Sequence, residues 1–182
     1  MTNPFHPYNP PKLTIELVPA SQWNDNLRSH LTPAKWNMLR SACYAKAGHV
    51  CEICGGHGPK HPVECHEIWD YNDSTRVQTL LGLISLCPAC HQVKHIGLSA
   101  QRGLMGRAML HLMNVNEWPG QLAEQYIMRQ FEIHEIRSLF AWTINLDWLQ
   151  QAESYIASAS VDEREARKKR TASVLEALTR KR

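Results

Sequence analysis

Four of the chain's six cysteines fall into two Cys-x-x-Cys pairs, Cys51/Cys54 and Cys87/Cys90. A Cys-x-x-Cys turn sets two thiolates on one side of an ion at about 2.3 Å, so two such turns complete the tetrahedron that zinc prefers. The stretch from 55 to 86 is long enough to form a hairpin between them. A redox dithiol would instead need one pair at a helix start after a strand, and matched pairs of this kind point to metal in a reducing compartment rather than to disulfides. A structural zinc at Cys51, Cys54, Cys87 and Cys90 is therefore expected. Cys43 falls on the apolar face of its segment and reads as core, whereas Cys65 sits in the chemically dense run Val63-Glu64-Cys65-His66-Glu67-Ile68.

Histidines recur around the second pair. His91 and His95 are four apart, so on a helix both imidazoles project from one face and can share an ion. His66, from a strand between the knuckles, is the third candidate ligand. Three nitrogen ligands leave positions open for water and a phosphate oxygen, which is what a metal needs to polarise a phosphodiester. Taken singly, His66 reads as a structural ligand or a strand-end core histidine and His95 as a solvent-facing helix residue; it is the set of three that points to a second ion. His6, His30, His49, His57, His61, His111 and His134 have no such company and read as surface or packing residues.

The elements that must position these groups follow from pattern and punctuation. Leu13 to Val18 alternates like a short edge strand stopped by Pro19. Thr32-Pro33 offers a helix cap and first turn, with Trp36, Leu39, Cys43 and Ala47 on one face and Gly48 as terminator. Strands are expected at Pro62–Ile68 and Leu83–Leu86, joined through Asn72-Asp73-Ser74, and then a helix from the second knuckle to Gly97. Leu104, Ala108, Leu112 and Val115 mark a further helix, and a longer one opens near Pro119. Trp142, Ile144 and Leu146 alternate as a brief strand, and Asp147 caps a helix through Ile156. Trp118, Trp142 and Trp148 read as core anchors.

From Cys51 to His95 the chain resembles the HNH (His-Me finger, ββα-metal) endonuclease family. The match is a Cys-x-x-Cys, a strand ending in paired polar residues before Ile68, and then Leu86-Cys87-x-x-Cys90-His91-x-x-x-His95. Aligned on Ile68, the resemblance implies that His66, His91 and His95 hold a catalytic divalent ion such as Mg²⁺, Mn²⁺, Ni²⁺ or Zn²⁺. It makes His66, Glu67 and His91 the catalytic residues, with Glu67 at the position of the general base that activates water. Two positions depart from the family: Glu67 stands where His is usual, and Gly82 where Asn is common. A shift of one residue would make His66 the base, with Cys65 as ligand and Asn72 available from the connection. The family's placement of its helix against nucleic acid puts Lys94 near the phosphate backbone.

The fold class expected is α+β: a ββα-metal finger stapled by a four-cysteine zinc site, with an N-terminal helix and a mainly helical C-terminal extension. The divisions are a Pro-rich arm at 1–12, strand and helix at 13–48, the zinc-knuckle module at 49–98, the helical extension at 99–160 and a basic tail at 161–182. The net charge of +3 is too small to imply nucleic acid by itself, but eight of the twenty Lys and Arg lie between Arg164 and Arg182. Arg167, Lys168, Lys169 and Arg170 are accordingly candidate nucleic-acid contacts, against the plain reading of a solubilising end. No apolar run approaches the roughly 20 residues of a membrane span, and the N-terminus lacks a secretory signal, so a cytoplasmic address is expected. The leading functional expectation is a metal-dependent nuclease acting on DNA rather than RNA. The alternative is a zinc-finger adaptor that binds nucleic acid or protein without hydrolysis, and a minor third is a redox or zinc sensor using Cys43 and Cys65.

Overall fold

The computed structural model describes residues 10–159. Helix α1 spans Pro33–Lys46. Thr32 caps it, its side chain accepting from the Lys35 amide, and Pro33 fills the first turn, where a missing N–H costs nothing. Its far end is closed by Gly48 at φ +60°: the Gly48 amide donates to Ala45 O and the His49 amide to Tyr44 O, the paired bonds of a Schellman motif. Leu39, Ala42 and Cys43 form its buried face, as the apolar spacing requires.

Strand β1 (Glu64–Asn72) pairs antiparallel with β2 (Val77–Leu86). The hairpin is longer than the sequence pattern suggested because Trp69 and Leu80 carry it beyond Ile68, both buried in one core cluster. The Asn72 side chain accepts from the Ser74 and Thr75 amides, and the Arg76 amide closes the turn on Asn72 O. The register shifts between Ile68 and Trp69, where Leu81 is left over on β2 and stands exposed. Strand β3 (Thr143–Asn145) adds to β2 in parallel, giving the order β1-β2-β3.

After β2 the chain turns at Cys87 into α2 (Pro88–Lys94), then α3 (Ile96–Gln101), α4 (Met105–Asn116) and α5 (Gly120–Ser138). The helix expected from Asp147 opens as a 3₁₀ turn, Asp147–Gln151, and is α-helical over 152–159. The chain is thus α+β, with a cysteine cluster able to staple a zinc site. Among the described residues no helix is long and apolar enough to cross a membrane.

Leu13–Val18 is not a sheet strand. It runs extended, but its polar groups are taken by helices: the Leu13 amide donates to Asn116 Oδ1, the Ile15 amide to Tyr126 Oη and the Glu16 amide to Lys94 O. The alternation of apolar residues is nevertheless used, because Leu13 and Ile15 are buried beside α2, α4 and α5. In that cluster Cys51, Cys87 and Cys90 pack with Val93, Ile96, Ala108, Leu112 and Tyr126, so the helical extension and the knuckles share one core. A second cluster joins Leu39 and Cys43 of α1 to Trp69, Leu80 and Leu83 of the hairpin.

Candidate metal centre

The first knuckle is strapped to the end of β2. The Glu52 amide donates to Ser85 O at 2.9 Å, and the Ser85 amide donates to Glu52 Oε2 at 2.6 Å. A tight turn at Gly55, φ +73°, brings Cys54 back beside Cys51. Cys87 then ends β2 and caps α2, its Sγ accepting from the Cys90 amide at 3.4 Å. The four sulfurs lie within 4.8 Å of one another, with Cys54 Sγ to Cys87 Sγ at 3.6 Å. Four 2.3 Å bonds at tetrahedral angles require sulfurs roughly 3.8 Å apart, so the set fits zinc. Hydrogen bonding from Cys90 draws the Cys51 thiol down to about 4, and the same contact raises that of Cys90. One of the four, Cys51, thus already favours thiolate, the form a metal binds, while burial raises Cys87.

His111, which sequence spacing gave no role, reaches this cluster from α4, with Nε2 3.1 Å from Cys90 Sγ. In the tautomer protonated at Nε2, His111 donates to that sulfur, which would support a ligating thiolate. Nothing local signals it, since the two residues meet only when α4 packs on α2.

His66, His91 and His95 also converge. Their candidate ligand nitrogens lie within 4.8 Å of one another, and the ring centroids are 5.3 Å (66–91), 4.9 Å (66–95) and 4.7 Å (91–95) apart. A tetrahedral ion needs nitrogens roughly 3.4 Å apart, so modest side-chain rotation closes the set. His66 comes from β1, opposite Ile84, and His91 from the middle of α2. His95 lies at the end of α2 in a non-helical conformation (φ −99°, ψ 48°), its amide still bonded to His91 O, which keeps the four-residue spacing on one face. Burial, then the neighbouring His66 and His91, lowers His95 to about 3; burial and His66 likewise lower His91. Both imidazoles are thereby kept neutral near pH 7, each with a lone pair to offer.

Carboxylates stand around the three rings. Glu64 Oε2 pairs with His91 Nδ1, and Glu16 Oε2 lies 3.5 Å from His66 Nε2. Carboxylates behind ligating histidines fix ring tautomer and raise donor strength. Glu67 shares with all three histidines a cavity of about 300 Å³, whose rim carries Trp23, Asp25 and Arg28. Its Oε2 accepts from Trp69 Nε1 at 3.2 Å. Burial raises the Glu67 carboxyl above its ordinary value, against the pull of the Trp69 bond and of the neighbouring His66. His91 and His95 line a second cavity as well, of about 280 Å³, with Gln92 and Arg102.

Lys94 is not at the surface where nucleic acid would meet it. It is 9% exposed, and its Nζ donates to Thr14 Oγ1 at 2.7 Å and lies 3.6 Å from Glu16 Oε2. The N-terminal segment covers that face of α2, which the helix alone could not disclose. Arg167, Lys168, Lys169 and Arg170 lie outside the described residues. Cys65 takes no place among the candidate ligands; Cys43 beside it and burial raise its thiol. Asn72 is spent on its turn, and Gly82 pairs with Ile68. Trp142 is buried and Trp118 and Trp148 pack against the cores, whereas Trp23, which sequence reading passed over, is 66% exposed. Compared with protein-family models, with curated proteins and with solved structures, the chain finds no match in any of the three.

Proposed function

We propose that the protein is a metal-dependent endonuclease of HNH type, hydrolysing phosphodiester bonds of nucleic acid, DNA before RNA, with a structural zinc at Cys51, Cys54, Cys87 and Cys90. The observation that carries this reading is the meeting of His66, His91 and His95, from two elements, at a cavity that also holds Glu67. These are the residues that the resemblance to the family singles out, in a β-hairpin followed by a helix.

Bound at the three histidines, a divalent ion supplies Lewis acidity at a phosphodiester oxygen and stabilises the leaving oxyanion. The protein's part is to orient and to move a proton. Glu67 is the base: its carboxylate, oriented by the Trp69 Nε1–H, takes a proton from the attacking water. Its raised pKa makes it a better base at neutral pH than an ordinary carboxylate. The one-residue shift, with His66 as base, has less support, because Cys65 would then have to leave Cys43 to become a ligand. Arg28 and Arg102, exposed on the cavities either side of His91 and His95, are suited to phosphates flanking the scissile bond, and Trp23 to stacking on a base.

The test is incubation with supercoiled plasmid and with single-stranded DNA in Mg²⁺, Mn²⁺ or Ni²⁺, beside His66→Ala and His91→Ala. Cleavage lost in both variants is the expected result. Binding without cleavage under every metal would overturn the proposal in favour of a zinc-finger adaptor, a reading that the absence of the family's Asn at Gly82 favours.

A further inference from the structure

The pair Glu16 and Lys94 is unexplained by packing. Both side chains are 11% exposed, and ion pairs removed from water this far are seldom a net source of stability. Each is held in place by a second contact. The Glu16 amide is pinned to Lys94 O at 3.0 Å, and Lys94 Nζ is fixed by Thr14 Oγ1 at 2.7 Å. Glu16 Oε2 then faces two groups, Lys94 Nζ at 3.6 Å and His66 Nε2 at 3.5 Å. Among the described residues, Glu16 Oε1 and His66 Nε2 are buried with no hydrogen-bond partner. Such atoms call for a partner that this arrangement nearly provides. The 4.8 Å group that joins His66, His91 and His95 does not include Glu16, so it stands behind His66 rather than in the ring of ligands.

We infer that Glu16, held by Lys94, is a positioning residue for the second metal site: it takes the Nε2–H of His66 and turns the Nδ1 lone pair of that ring toward the ion. The inference rests on the proposed second site. It also makes the N-terminal segment part of the centre, although the zinc-knuckle module begins more than thirty residues later. Lys94 carries out this role from the same helix as His91, its charge spent on Glu16 instead of on phosphate.

The experiment uses the full chain with zinc already seated at the four cysteines. Co²⁺ is titrated into the second site and followed by calorimetry and by its visible d–d absorption. In wild type one further ion is expected, lost in His91→Ala. Glu16→Gln is expected to weaken that ion by about 10- to 100-fold and to shift the d–d band, with zinc stoichiometry unchanged. Because Lys94 works through Glu16, the double variant Glu16→Gln/Lys94→Met should be no weaker than Glu16→Gln alone. The shift of the d–d band at unchanged zinc stoichiometry is the readout that a merely structural pair would not move. If Glu16→Gln fails to retain its zinc, Glu16→Asp takes its place, with an intermediate loss expected because the shorter side chain widens the 3.5 Å gap to His66.

Wild type that binds one further ion, with Glu16→Gln (or its Asp replacement) within about threefold of it and the same spectrum, would overturn this inference alone. Wild type that binds no ion beyond the zinc would overturn the proposed function and this inference with it.

Discussion

Removing the zinc should cost this protein far more than a local rearrangement. Cys51, Cys87 and Cys90 are buried at 2%, 4% and 0% exposure in the cluster that also contains Val93, Ile96, Leu112 and Tyr126. Cys87 caps the helix that leads from His91 to His95, so the two candidate centres are mechanically joined. A structural zinc contributes roughly 10–16 kcal/mol in small peptides, as much as the entire stability of an ordinary domain. If only about 4–5 kcal/mol of the zinc contribution is expressed, at about 2–4 °C per kcal/mol, Tm still falls by roughly 8–20 °C. The assay is a thermal melt by circular dichroism under reducing conditions, before and after stoichiometric zinc release, with Cys90→Ser as the genetic counterpart. The near-ultraviolet signal should weaken together with Tm, since Trp118 packs on the same cluster. A metal-free, fully reduced protein with unchanged Tm would refute the assignment of the four cysteines as a structural centre.

Glu67→Gln should leave metal binding in place and reduce cleavage by about 10²–10⁴-fold, read from single-turnover rates. The same change should stabilise the fold. A carboxyl raised by burial contributes stability that is full below its unfolded value and lost as pH rises through its folded value. The Tm advantage of Glu67→Gln should therefore open as pH rises above about 4.3 and level off once the folded carboxyl is ionised. Arg28→Ala and Arg102→Ala should weaken DNA binding evenly across sequences. Each should lower the slope of log affinity against log salt by about 0.9 on duplex or 0.7 on single strands; an unchanged slope would exclude that residue as a phosphate contact. Leu112→Ala, at a fully buried site beneath α2, should cost about 2–5 kcal/mol, or roughly 4–20 °C in Tm. A loss under about 1 kcal/mol would mean that α4 does not share the knuckle core.

The features legible in the sequence were those written at short range. Paired cysteines, a four-residue histidine spacing, and a Thr-Pro start with a Gly stop each specify their geometry within a few residues, and all appear in place. Strand pairing was legible in kind but not in extent, because the bulge at Leu81 allows Trp69 and Tyr71 to continue past the expected end. What escaped was long-range. Glu16 meets His66 across fifty residues, Lys94 meets Thr14 across eighty, and His111 reaches Cys90 only through helix packing. The alternation in Leu13–Val18 correctly marked one buried face, but an extended segment whose amides are satisfied by Asn116 and Tyr126 reads the same as a strand. Lys94 looked like a surface cation because helical periodicity describes a bare helix and says nothing about the segment that covers it.

The proposed nuclease reaction takes place at an ion held by His66, His91 and His95. Its most direct test is to titrate Mn²⁺ into zinc-loaded protein and measure, on the same samples, occupancy of the second site and the initial rate of plasmid cleavage, for wild type and His91→Ala. Rate and occupancy should rise together in wild type, and both should be absent in His91→Ala. Full occupancy without cleavage, or cleavage that survives His91→Ala, would contradict it.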